Sequence, residues 1–276
     1  MPAPDPDESA VDPALVPDAH SARFFNFFAW YTRRLIARRF AAVRAAPGTT
    51  QTLRALADDQ GPVVMAMTHS SWWDPLIGVY LHDRFTPARR SLGPIDAREL
   101  ARFRFMRKLG LFGIDPDNPR VIDSMTRYIA GVCRDAPHTT LWITPQGTFQ
   151  DVRAPMLVRP GAAAAAARLR AVGPCRVVSL AIELAFWNDQ RPEIFLRADP
   201  VAADRPHSMP SWHRAISRAM RAGAEALSTL VIARDPQPFE TLLGGDARIH
   251  PVYDAILKLR GKSGGLGAAR RTEAAP

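Results

Sequence analysis

The chain has 276 residues, of which 47% are hydrophobic and 23% charged; that is enough apolar material for one large core or two small ones, and a single globular domain with decorated ends is the expectation. The formal charge of +9 comes almost wholly from arginine, since Lys108, Lys258 and Lys262 are the only lysines, and such a field favours anionic partners, whether lipid headgroups, phosphorylated small molecules or nucleic acid. No run approaches the roughly 18 uninterrupted apolar residues of a membrane-spanning helix, and Cys133 and Cys175 lie in apolar stretches without metal-ligand or redox spacing, so a disulfide-built scaffold is excluded and both read as core filler.

Residues 1–20 mix Pro, Asp and Ala with little periodic apolar signal and are expected to be a disordered tail. The acidic, proline-rich stretch 1–17 is neither a secretory signal nor a span, which points to the cytoplasmic side. Residues 22–43 set Phe24, Phe25, Phe27, Phe28, Trp30 and Tyr31 against Arg23, Arg33, Arg34, Arg38 and Arg39. This amphipathic helical segment suits both packing on a core and lying among headgroups, with aromatics sunk and guanidiniums beside phosphates. Apolar runs at 63–67, 141–144 and 177–182 read as buried strands, with a weaker candidate at 194–197 and a short buried strand around Phe112 and Ile114. Helical composition marks 72–82, 97–108, 121–133 and 162–169, and 211–231 places Trp212, Ile216, Met220, Ala224 and Leu227 at helical spacing. This alternation predicts an α/β fold, a central mixed sheet flanked by helices, as one domain over 21–260. Residues 261–276, rich in Gly, Ala, Lys and Arg, read as a second disordered tail.

The chemistry concentrates in Thr68-His69-Ser70-Ser71-Trp72-Trp73-Asp74, directly after the first buried strand. Five residues along a continuous helix turn about 500°, leaving the two side chains roughly 140° apart. His69 and Asp74 therefore meet only if the helix starts after His69, with Ser70 or Ser71 as its N-cap. In that geometry the carboxylate holds one ring nitrogen of His69 and stabilises the imidazolium formed when the other takes a proton, the general-base half of a charge-relay site. A serine beside the histidine raises a lipid esterase as a competitor, but no Gly-x-Ser-x-Gly elbow exists and N-capping accounts for both serines. The other histidines, among them His82, His138, His207 and His213, lack metal-ligand spacing.

The His-four residues-Asp spacing resembles the first block of the glycerol-3-phosphate and lysophosphatidate acyltransferases. The resemblance runs from about Gly61 to Ile182, and the order of its blocks carries it. The second block resembles Asp96-Ala97-Arg98-Glu99-Leu100 followed by Gly110-Leu111-Phe112-Gly113-Ile114-Asp115, but the arginine that the family places next is Pro116 here; Arg120 is the candidate replacement. The third block, Pro145-Gln146-Gly147-Thr148-Phe149, resembles Pro-Glu-Gly-Thr-Arg, with Gln for Glu and Phe for Arg. A carboxylate thus becomes a neutral amide and a bidentate phosphate ligand is lost. Arg159-Pro160-Gly161 resembles the family's basic residue and glycine ahead of a helix, with Arg153 between. The fourth block is the strand 177–182, with Ser179 where the family usually has proline.

The resemblance implies a metal-free, cofactor-free acyl transfer from acyl-CoA or acyl-carrier protein to a hydroxyl of a lysophospholipid or related lipid. His69 would be the general base, Asp74 its orienting acid, and Arg120, Pro145, Gln146, Gly147, Thr148, Arg153 and Arg159 the acceptor-binding set. Backbone amides at the helix start or after Gly147 are candidate oxyanion donors. The altered third block favours an acceptor without a phosphomonoester, such as a glycosylated lipid, as the alternative. The expected partners are a thioester donor, a lipid acceptor and an anionic membrane on whose inner face the protein is peripheral. Arginines dispersed among apolar helices argue against nucleic acid. The competing reading of another class is a catalytically silent peripheral lipid-binding protein.

Overall fold

A computed structural model describes residues 15–118, 120–187 and 189–244. In chain order the elements are α1 (Ala22–Arg39), β1 (Ala42–Ala45), α2 (Thr49–Ala55), β2 (Val63–Met67), α3 (Asp74–Phe85), β3 (Arg90–Asp96), α4 (Ala97–Arg102), a 3-10 turn (Arg104–Leu109), β4 (Leu111–Ile114), α5 (Val121–Asp135), β5 (Thr139–Ile143), α6 (Gly161–Val172), β6 (Arg176–Ala185), β7 (Glu193–Val201), α7 (Met209–Ala233) and β8 (Glu240–Gly244). The strands form one sheet of eight in the order β4-β3-β5-β2-β6-β7-β1-β8. β4, β3, β5, β2 and β6 run parallel, β7 is antiparallel to β6, and β8 is antiparallel to β1. This is the expected α/β fold with a mixed sheet.

β2 lies at the heart of the sheet, between β5 and β6, and all five of its residues are buried. That is the signature of a parallel strand covered on both faces, where apolar residues run continuously rather than alternate with polar ones. Val63, Met65 and Met67 pack with Ile36 and Phe40 at the end of α1, with α2 and with α3. Val64 and Ala66 pack on the other face with α5, the alanine-rich α6 and α7. α1–α3 and α5–α7 therefore cover opposite faces of one sheet. Cys133 and Cys175 are buried in the second cluster with free thiols.

Several elements depart from the sequence reading. The segment 22–43 is not one helix: it ends at Arg39, Phe40 turns extended, and residues 42–45 become β1 by pairing with β7 and β8. The segment 97–108 breaks at Phe103 into α4 and the 3-10 turn, which Gly110 closes at φ 92°. A Cβ there would strike the carbonyl of Ser91. β3 contains Gly93 and Pro94, poor strand formers, and exists because β5 and β4 pair with it on either side. The predicted tail 1–20 is ordered from Leu15 onward: Leu15 is buried, Val16 exchanges two backbone hydrogen bonds with Gly113, and Asp18 accepts from Arg90 and from Tyr128 Oη at 2.6 Å. Residues 1–14 and the tail 261–276 lie outside the described residues.

α1 packs Phe25, Ala29, Thr32 and Ile36 inward, one residue per turn. Phe25 meets the buried His82 edge-on at 5.0 Å. His82 Nε2–H donates to the carbonyl of Arg89 at 3.0 Å, and its Nδ1 accepts from Trp142 Nε1–H at 3.2 Å. Burial pushes this imidazole down to about 4, so it is a neutral core residue, as expected of a histidine without ligand spacing. Among the described residues no helix is long and apolar enough to cross a membrane.

Candidate active site

β2 ends at Met67, and the ladder continues for one residue. Thr68 N–H donates to Leu180 C=O at 2.9 Å, and Thr68 Oγ1 accepts from Ile182 N–H at 2.9 Å. His69 is thus the first residue beyond the C-terminal edge of the parallel strands, where α/β folds gather their sites. The loop after β5 grips its backbone on both sides. His69 N–H donates to Gln146 Oε1 at 2.6 Å, and its C=O accepts from Gln150 N–H at 2.9 Å. Gln146 Nε2–H donates in turn to Gln150 Oε1 at 3.0 Å, an oxygen that also accepts from Leu157 N–H at 3.3 Å.

α3 starts at Asp74, so the two side chains meet as the spacing required. Neither serine is the N-cap; Trp73 holds that position without a side-chain cap. The carboxylate reaches back instead: Oδ2 accepts from Ser70 N–H at 2.6 Å and from Ser71 N–H at 2.7 Å, while Ser71 Oγ donates to Oδ1 at 3.2 Å. An ionised acceptor outcompetes a hydroxyl for backbone donors, which is why Asp74 rather than a serine organises the turn. The side chain of Asp74 is 0% exposed, and its Oδ2 lies 3.2 Å from His69 Nδ1. This contact assigns the imidazole proton to Nδ1 and leaves Nε2 as a free base. Among the described residues nothing hydrogen-bonds Nε2, and the ring is 16% exposed.

The rim is aromatic. Phe149 lies 4.3 Å from the His69 ring and 5.4 Å from Trp72, with both Phe149 and Trp72 exposed. Trp73, by contrast, points into the core and meets Phe40 edge-on at 4.7 Å. The pair of tryptophans therefore divides between core and rim.

The third-block residues are brought directly against His69, but unequally. Pro145 and Gln146 are buried, and the Gln146 amide is engaged at both ends within the protein. Gly147, at φ 72°, turns the chain outward; a Cβ there would come within 2.9 Å of the Arg159 side chain. Arg159 thus lies over this loop, and its own N–H donates to Pro145 C=O at 2.7 Å. Thr148 and Phe149 are exposed, and among the described residues no protein group accepts from their backbone N–H groups. Arg153 points to solvent and is paired with Asp151. Arg120 precedes α5 at the same sheet edge, but from beyond β4, three strand spacings or roughly 14 Å from β2. The structure therefore gathers Arg159 to the site and keeps Arg120 and Arg153 at its margins. Gln150 was not among the expected residues, since one glutamine in a polar loop gives no sequence signal; only the fold shows it closing the backbone ring around His69.

Comparison with known proteins is consistent with this geometry. Residues 48–183 match the Acyltransferase family model. Comparison with curated proteins finds no match. Among solved structures, nine chains match. One is the crystal structure of the 1-acyl-sn-glycerophosphate (LPA) acyltransferase PlsC from Thermotoga maritima, with a TM-score of 0.50 and 12% identity over 75% of this chain and 79% of that one. At that identity the likeness is one of fold, and the matched residues 48–183 take in β2, His69, Asp74, the 145–149 loop and most of β6. The match over residues 48–183 places this region of the chain in the acyltransferase family.

Proposed function

We propose that the chain moves a fatty acyl group from an acyl thioester, acyl-CoA or acyl-carrier protein, to a hydroxyl of a lysophospholipid or related lipid acceptor, with His69 as general base. The observation that carries this reading is the His69 ring held through Nδ1 by a fully buried Asp74, with Nε2 free and partly open to solvent. The acceptor hydroxyl gives its proton to Nε2 while its oxygen attacks the thioester carbonyl carbon. Asp74 stabilises the resulting imidazolium. The tetrahedral intermediate then collapses, the C–S bond breaks, and the thiolate recovers the proton from Nε2. Ser70 and Ser71 N–H are taken by Asp74, so the N–H groups of Thr148 and Phe149, after Gly147, are the candidate oxyanion donors. The motif-retaining site also weighs against a silent lipid binder, which has no use for a buried carboxylate aimed at an open imidazole.

The non-phosphorylated acceptor is favoured by one observation: the ring of Phe149, the residue at the motif position where the family has arginine, lies 4.3 Å from the imidazole. Arg159 is the cation left at the loop, so a phosphomonoester, if used, is held by Arg159. Peripheral attachment is supported by α1, whose outward face exposes Phe27 at 61%, Trp30 at 42% and Tyr31 at 48% among arginines. The test is transfer of labelled acyl groups to lysophosphatidate, neutral lysolipids and glycosylated lipids, with His69→Ala as the blank. Transfer should fall by about 10²–10⁴-fold in the variant. A folded His69→Ala protein with full activity overturns the mechanism.

A further inference from the structure

α7 buries Trp212, Ile216, Met220, Leu227 and Val231 against the sheet. Its outward stripe carries Arg214, Arg218 and Arg221, spaced four and three residues apart, and all three are exposed. They set three guanidiniums along roughly 10 Å of one helix face. Some arginines elsewhere are neutralised, Arg90 by Asp18, Arg176 by Asp59 and Arg197 by Asp199. In this row, no carboxylate among the described residues forms an ion pair, including Glu225, one turn further on. Arg221 donates to the carbonyl of Met156 at 3.2 Å.

Arg221, at the end of the row nearer the reaction centre, touches the loop that grips His69. The loop that grips His69 packs back onto α7 through this contact and through His213 Nε2–H, which donates to Val158 C=O at 2.9 Å. It leaves Val152 and Leu157 exposed. Beyond the row, Leu227 and Ser228 line the same cavity as His69 and Gln146. None of the three arginines lines the cavity beside His69 or the one bounded by Pro62, Arg176 and Trp212. The row is thus an open, extended surface rather than the concave pocket that a nucleotide such as coenzyme A requires. It also lies on the face of the sheet opposite α1 and its aromatic side, which turns it away from a bilayer met by α1.

We propose that Arg214, Arg218 and Arg221, with Val152 and Leu157, form the docking surface for an acidic acyl-carrier protein that presents its thioester to His69. The proposal rests on the acyl-transfer reading above and selects the donor for it. Charge complementarity supplies orientation and a fast, salt-sensitive encounter, and the two apolar side chains supply contact.

The test pairs direct binding with donor kinetics. Binding of a fluorophore-labelled palmitoyl-acyl carrier protein is read by anisotropy, and transfer from that donor and from palmitoyl-CoA is followed with one acceptor. Arg214→Glu/Arg218→Glu leaves the Arg221 loop contact intact. It should weaken carrier binding tenfold or more and lower kcat/KM equally for the carrier donor, with less than a twofold change for palmitoyl-CoA. Arg214→Gln/Arg218→Gln should give an intermediate loss and serves if the reversed variant misfolds. Wild-type protein that does not bind the carrier overturns the proposal. So does an equal loss with both donors, or a loss confined to anionic-vesicle binding. Arginine-dependent carrier binding without transfer from either donor upholds the docking surface and sinks the acyl-transfer reading instead.

Discussion

Replacing Asp74 by asparagine isolates the charge of this side chain from its geometry, because one oxygen does most of its bonding. Oδ2 alone accepts from Ser70 N–H and Ser71 N–H and faces His69 Nδ1. An asparagine placing its carbonyl oxygen there keeps all three contacts, and its amide nitrogen falls where Oδ1 was, beside Ser71 Oγ, which can accept from it. The imidazole tautomer survives, and what disappears is the attraction between carboxylate and imidazolium in the transition state. For charge centres about 4 Å apart and an effective dielectric near 20, that attraction is about 4 kcal/mol. The corresponding fall in kcat is about 10³-fold. Two charge-assisted hydrogen bonds also become neutral ones, which costs about 2 kcal/mol of stability. The assay is initial-rate acyl transfer under saturating donor, with urea unfolding to confirm the fold. A rate within tenfold of wild type would show that the charge is not used. A fall far beyond this predicted loss would refute the shared-oxygen argument, since it would mean that the amide had rotated and reversed the tautomer.

Phe149→Arg should restore a cation beside His69 and raise kcat/KM for lysophosphatidate relative to neutral lysolipids by tenfold or more; an unchanged ratio in the acceptor panel would show that Phe149 does not set acceptor choice. Trp30→Ala combined with Tyr31→Ala removes two exposed rings worth about 1.5–3 kcal/mol each if they insert. Co-sedimentation with anionic vesicles should fall more than tenfold while secondary structure is unchanged, and undiminished binding would rule out α1 as the attachment face. Stability should also depend on acid. His82 is held near 4 by burial, whereas the unfolded chain takes up this proton near 6.5, so the stabilisation is complete above about 6.5 and is lost as pH falls through 4. Between pH 7.5 and 5 the unfolding free energy should drop by about 2 kcal/mol from His82. His20, also lowered mainly by burial, adds in the same direction; a flat profile by urea titration would contradict a buried neutral His82.

The sequence by itself determined the α/β class, the strands β2, β5 and β6, and the pair His69 and Asp74, because those are written in local pattern. A continuous apolar run specifies a doubly covered strand, and a five-residue spacing can close only across a helix start. Tertiary structure alone decided the elements whose local pattern is weak. β1 and β3 are strands because neighbouring strands pair with them, despite Arg44 in one and Gly93-Pro94 in the other. Leu15–Asp18 is ordered because Gly113, Arg90 and Tyr128, remote in sequence, receive it. The same holds at the site. Spacing brought His69 and Asp74 together, but the capture of Ser70 and Ser71 amides by the carboxylate, the ring closed by Gln146 and Gln150, and the choice of Arg159 over Arg120 and Arg153 depend on where the chain returns after β5. Local spacing fixes contacts within a turn of chain; contacts between strand ends are fixed only when the sheet sets its order.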